Sequence, residues 1–182
     1  MKTNQTTSSV LNKAGKKGEV LLAKYLEGLG YECYSSPDRY FPEWDIKAIT
    51  PNGNVVLIEV KTDVTGMFLK NKRGFNFYIE MFNTKAMCPS GIFKSKAEKY
   101  AYFFLMPNNE YHLYVFNTRE LRNLCCEETK MPITGNTIEQ NACGWLVPSD
   151  SLVVLNPTII KFNRDGNAYN THNHTINSYY SG

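Results

Sequence analysis

The strongest limit on how this chain can fold is an apolar run with charge inside it, Val55-Val56-Leu57-Ile58-Glu59-Val60-Lys61. Unbroken aliphatic residues read as a central strand buried on both faces, where a charge is costly without a partner or a metal. Side chains alternate along a strand, so Glu59 and Lys61 share one face while Ile58 and Val60 take the other. A second run, Asp45-Ile46-Lys47-Ala48-Ile49, precedes it. The turn Pro51-Asn52-Gly53-Asn54 can fold the two runs side by side. Asp45, Glu59 and Lys61 then converge at one edge of a hairpin. Carboxylate oxygens suit a hard divalent cation such as magnesium. A lysine beside such an ion can hold or deprotonate a water, or stabilise charge on a phosphate.

The flanking segments supply the rest of a framework. Helical spacing predicts a helix over Gly15–Leu29, with Glu19 in its first turn and Gly28 and Gly30 as stop signals. Tyr31–Tyr34 reads as a strand, and a loop with Pro37, Asp38, Arg39 and Pro42 leads to the Asp45 run. Residues 62–74 read as a polar loop, and Phe75–Phe82 as an aromatic-rich strand. Pro89-Ser90-Gly91 breaks the chain. Ser95–Tyr100 is expected as a short helix, and Ala101–Met106 as a buried strand. The turn Pro107-Asn108-Asn109 predicts a hairpin to Tyr111–Phe116. Thr118 is a suitable N-cap for a helix through Leu124. Residues 127–144 read as a loop, followed by short closing elements at Trp145–Pro148 and Ser151–Leu155.

This order, with Glu19, Asp45, Glu59 and Lys61 in these places, resembles the PD-(D/E)xK nuclease superfamily over the stretch from Ala14 to Met106. Glu43-Trp44-Asp45 stands where Pro-Asp is common, with Pro42 close by. The resemblance implies an α/β, restriction-endonuclease-like αβββαβ core, a central mixed sheet flanked by helices. Phe75–Phe82 would be an extra strand extending that sheet, with additions at the C-terminus. It also implies a magnesium-dependent DNA endonuclease that hydrolyses phosphodiester bonds, with manganese able to substitute. By resemblance, Asp45 and Glu59 bind the metal and the Val60 carbonyl adds an oxygen. Lys61 positions or activates the attacking water, and Glu19 supports a second metal or orients that water. Up to Lys61 the order is also similar to archaeal-type Holliday-junction resolvases, which then usually turn quickly into a helix. Branched DNA is thus one substrate class among several, phage or host DNA another. Ser90-Gly91 with Ser95-Lys96-Ala97-Glu98 is similar to a segment of phage-encoded members, which makes Lys96 a candidate phosphate contact.

Other charged residues carry less specific signals. Glu80, inside Phe77-Tyr78-Ile79-Glu80-Met81-Phe82, is either an additional acid of the site or a partner of Lys85. His112 alternates with apolar residues and reads as structural. His172-Asn173-His174 spells part of another nuclease motif, but in a polar segment without that motif's context.

Composition sets the outer bounds. A chain of 182 residues with 42% hydrophobic content can bury one core, and hardly two. The expected organisation is a mobile arm over 1–13, one nuclease-like domain over 14–162 and a flexible polar tail over 163–182. The net charge of +3 is too small to identify a polyanion partner. The local pattern says more: Lys16 and Lys17, then Lys70, Lys72 and Arg73, then Lys96 flank the site in sequence, as a DNA-tracking surface requires. Five cysteines without a C-x-x-C pair argue against a zinc knuckle or disulfide framework. With no signal-peptide pattern and no bilayer-length apolar run, the expectation is a cytoplasmic protein without a membrane, in the host cytoplasm if phage-encoded. The oligomeric state is left open between monomer and homodimer. The rival readings are a non-catalytic nucleic-acid-binding protein and a phage host-interaction protein on the same fold.

Overall fold

The computed structural model describes residues 4–37, 43–64, 76–128, 133–134 and 142–169. Helix α1 (Asn4–Gly28) leads into strands β1 (Glu32–Ser35), β2 (Ile46–Ile49) and β3 (Val55–Asp63). Next come β4 (Asn76–Asn83), β5 (Cys88–Pro89) and the single-turn α2 (Gly91–Lys94). They are followed by β6 (Lys99–Leu105), β7 (Tyr111–Asn117) and α3 (Thr118–Glu128). The chain continues through β8 (Ile133–Thr134), β9 (Ala142–Pro148), a 3-10 helix (Ser149–Leu155), β10 (Thr158–Phe162) and β11 (Ala168–Tyr169).

The main sheet is mixed, in the order β1-β2-β3-β6-β7-β10-β11. The β2–β3 hairpin closes through Thr50, whose N–H donates to the Asn54 carbonyl at 2.8 Å. Its register sets Ile46 opposite Ile58. Strand β3 is interior and runs parallel to β6, with Glu59 beside Tyr100 and Lys61 beside Tyr102. This is the αβββ–α–β order expected from the sequence, with the second helix reduced to one turn.

Alternation divides the side chains between two cores. Ile46, Ala48, Ile58, Ala101, Phe103 and Leu113 face α1, where Leu21 and Leu22 complete one cluster. A Cβ on Gly18 would collide with Thr62 Oγ1 and press on Phe103 Cδ2 at 3.2 Å, so α1 lies directly on β3. On the opposite face, Tyr100, Tyr102, Phe104, Tyr114 and Phe116 pack under Phe77, Ile79, Leu121 and Trp145. Phe77 makes edge contacts with Tyr102, Phe104, Tyr114 and Phe116, at centroid distances from 4.9 to 5.6 Å.

Several expectations are corrected. Strand β4 does not extend the main sheet. It belongs to a second sheet, β5-β4-β9-β8, laid over the first. An aromatic-rich strand reads alike in either sheet, and the pairing with β9 decides the matter. The helix expected over Ser95–Tyr100 is instead α2 over Gly91–Lys94 followed by an irregular segment. There Lys96 N–H donates to the Glu43 carbonyl at 2.8 Å and Glu98 N–H to the Leu57 carbonyl at 2.9 Å. These bonds hold the segment against the main sheet and displace a helical ladder. Helix α1 starts at Asn4, so most of the segment read as a mobile arm is helical. Asn163–Tyr169, read as the start of the tail, turns back to pair β11 with β10; residues 170–182 lie outside the described residues. The N-cap of α3 is Asn117, whose Oδ1 accepts from Arg119 and Glu120 N–H at 3.0 and 3.2 Å. Residues 127–144, read as a loop, include the end of α3, β8 and the start of β9. Among the described residues no helix is long and apolar enough to cross a membrane.

Candidate active site

Four segments meet where β2 enters the sheet. Asp45 N–H donates to the Ile58 carbonyl at 2.9 Å, continuing the β2–β3 ladder by one residue. The Asp45 carboxylate accepts from Val60 N–H at 2.7 Å, which pins it across β3. Glu59 and Lys61 share the face that bears Tyr100 and Tyr102, while Val60 packs into the α1 cluster. The hairpin inferred from the sequence thus brings Asp45, Glu59 and Lys61 together.

Electrostatics tie these groups to one another. Burial raises the Asp45 carboxyl above its ordinary value; the Val60 N–H works against this, and the charge of Glu19 adds to it. The charge of Glu19, on α1, is thus felt at Asp45, while its carboxylate pairs with Lys16 at 2.7 Å. Burial, then the charge of Asp45, push the Glu59 carboxyl up to about 7, with Ser95 and Lys61 pulling the other way. Glu59 Oε2 is buried and has no hydrogen-bond partner among the described residues. A buried acceptor without a partner costs free energy, and acids with such shifts cluster at functional sites. Tyr100, beside Glu59 in register, is fully buried, and its hydroxyl is pushed well above the ordinary value by burial and by Glu59 and Glu80.

Glu80 belongs to this group and not to Lys85. Its Oε2 lies 3.1 Å from Lys61 Nζ, while Lys85 is exposed in the turn after β4. Burial alone would raise the Glu80 carboxyl, but Lys61 and the nearby Ser90 hydroxyl outweigh it and leave the group below its ordinary value. Ser95, read from the sequence as a helix start and given no role of its own, sits beside Glu59. Its hydroxyl donates to the Glu43 carbonyl at 3.2 Å and accepts from Ala97 N–H at 3.2 Å. Nothing in a lone loop serine signals that placement.

Of the basic residues read as DNA contacts, Lys16, Lys17 and Lys96 lie among the described residues. Lys96 is exposed and pairs with Glu43 at 2.8 Å. Lys17 Nζ lies 4.9 Å from the Tyr111 ring centroid. Lys70, Lys72 and Arg73 fall outside the described residues. Among the described residues, no three His, Cys, Asp or Glu side chains are grouped so as to hold a metal by themselves. His112 is half-buried; burial first, then Lys161, lower its imidazole to about 4, which fits the structural role read from the sequence.

No protein-family model matches the chain, and no curated protein matches it. Among solved structures it is similar to a bacterial homing endonuclease, I-Ssp6803I, with a TM-score of 0.44 and 10% identity. The alignment covers 60% of this chain and 70% of that one. A likeness this slight carries no argument about activity, which rests on the site itself.

Proposed function

We propose that this protein is a magnesium-dependent DNA endonuclease. The observation that carries the reading is the buried, unpartnered Oε2 of Glu59 beside Asp45, with Lys61 on the same face. A buried carboxyl oxygen whose ionisation is opposed by a neighbouring carboxylate is relieved when a cation lies beside both. Magnesium commonly takes one or two carboxylates and keeps several waters, so a site without three acidic ligands still fits it. Asp45, Glu59 and the Val60 carbonyl would hold the ion, and manganese would substitute. Bound there, a divalent ion supplies Lewis-acid polarisation of a phosphate and a more acidic water.

The chain's own groups do the rest. Lys61 offers an ammonium toward the phosphate or the attacking water, where it stabilises developing charge. Glu19 orients that water from α1. Lys16, Lys17, Lys70, Lys72, Arg73 and Lys96 are the proposed contacts for the DNA backbone, which position a duplex without reading its sequence. Phage, host and branched DNA are the substrates to compare.

The test is cleavage of linear, nicked, flapped, single-stranded and four-way DNA with magnesium or with a chelator. Wild type should cut at least one of these only with the metal; Asp45→Asn should fall to background and Lys61→Ala to a residual rate still measurable in single turnover, both with unchanged circular dichroism. Full activity in either variant refutes the assignment. A non-catalytic binder would hold DNA equally with and without magnesium and cut none of the panel.

A further inference from the structure

We propose that Glu80 is a positioning residue for Lys61, so that the site is assembled from both sheets; the inference rests on the nuclease reading above. The Nζ–Oε2 distance is 3.1 Å, and the Glu80 side chain is 20% exposed against 37% for Lys61. A mostly buried carboxylate on a second sheet thus holds the end of a long, flexible chain that projects from the first.

The local backbone is built to deliver that carboxylate. The β4–β9 register shifts between Glu80 and Phe82, so a bulge at Met81 bends the strand where Glu80 projects. Two glycines allow neighbouring backbone to close on it. Gly144 lies so near that a Cβ there would collide with the Ile79 carbonyl. Gly91, at φ +49°, would drive a Cβ into the Glu80 carbonyl. Ser90 N–H donates to the Met81 carbonyl at 3.0 Å and fastens the next segment to the bulge.

This arrangement answers a problem in the rest of the site. An ammonium beside two half-buried carboxylates would be drawn onto them. The charged groups that act with Lys61 are Asp45, just before β2, Glu59 on its own strand and Glu80 on β4, and Tyr102 lies beside it in register on β6. The Tyr102 hydroxyl is already committed, donating to Asp63 Oδ2 at 2.9 Å and accepting from Tyr78 N–H at 3.2 Å. Glu80 gives Lys61 a carboxylate partner other than Asp45 and Glu59, 3.1 Å away, so that their oxygens stay open to a cation.

The experiment compares wild type, Glu80→Ala, Glu80→Gln, Lys61→Ala and the Lys61→Ala/Glu80→Ala double variant. Single-turnover cleavage is measured in magnesium with saturating enzyme, and DNA affinity in calcium. Glu80→Ala should slow cleavage by up to about 100-fold, the loss that a misplacement of about 1 Å can bring. DNA affinity in calcium should stay within about twofold of wild type, since phosphate contacts set it. In the Lys61→Ala background the Glu80 change should add nothing, because one residue acts through the other. Should Glu80→Ala not fold, the near-isosteric Glu80→Gln, paired with its own double variant, makes the same comparison. Unchanged cleavage in the single variant overturns the inference, as does an equal loss in both backgrounds. An active wild type with either result leaves the nuclease reading standing, whereas an inactive wild type removes that reading and this one together.

Discussion

Glu59→Gln should stabilise the metal-free protein at alkaline pH while abolishing cleavage. In the unfolded chain this carboxyl ionises near 4.5; in the fold, burial and Asp45 push it up to about 7. Between those values the folded state holds more protons, so stability falls as pH rises through the window. At about 1.4 kcal/mol per pH unit, the whole effect is about 3 kcal/mol, present below pH 4.5 and lost by about pH 8. The glutamine variant does not titrate at this position and escapes the loss. It also spares Asp45 a neighbouring charge, which acts in the same direction. The variant should therefore match wild type near pH 4.5 and exceed it by about 3 kcal/mol at pH 8. For a chain of this length that is roughly 6–12 °C in unfolding midpoint. Thermal unfolding followed by circular dichroism, in chelator across this pH range, measures the difference. Groups such as His112 titrate in both proteins and cancel. Magnesium at pH 8 should raise the wild-type midpoint and leave the variant's nearly unchanged, since only the intact site binds it well. Equal stability at pH 8, or a difference independent of pH, would refute the account of Glu59.

Gly18→Val should cost about 1–3 kcal/mol in urea unfolding, because the new side chain must push α1 off Thr62 and the fully buried Phe103. His112 should stay neutral down to about pH 5 in a proton NMR titration, since burial and Lys161 lower it to about 4. Its folded value lies below the ordinary 6.5, so its contribution to stability is present above pH 6.5 and lost as pH falls toward 4. Titration near 6.5 would show that the imidazole is not buried. Asn117→Ala should cost about 1 kcal/mol by removing the acceptor for two N–H groups of α3, read as a lower urea midpoint with an unchanged slope.

The part of the site lying on one continuous hairpin was legible in the sequence. Alternation put Glu59 and Lys61 on one face, and the Asn-Gly turn brought Asp45 back beside them. Glu80 stood out as a carboxylate in an apolar strand, but nothing local distinguishes Lys61 from Lys85 as its partner. That choice depends on β4 joining a second sheet, and the pairing with β9 spans more than sixty residues of sequence. The Ser-Lys-Ala-Glu segment has reasonable helix propensity, yet tertiary hydrogen bonds to Glu43 and Leu57 override it. The N-terminal part of α1 was missed because Thr6, Thr7, Ser8 and Ser9 are weak helix formers that read as an arm.

The contact of Phe77 with four rings of the main sheet has a further consequence. Among the described residues the two sheets share no backbone ladder, so rings, the Tyr102 hydroxyl and the Lys61–Glu80 pair join them. Aromatic packing fixes distance and tilt but, unlike a ladder, not residue-by-residue alignment. The upper sheet can therefore change its edges or its β8–β9 side without altering the register that joins Asp45 to Glu59. Changes in that layer can leave Asp45, Glu59 and Lys61 of the other in place. The demand on any such change is that Phe77, three residues ahead of Glu80 on the same strand, stays seated.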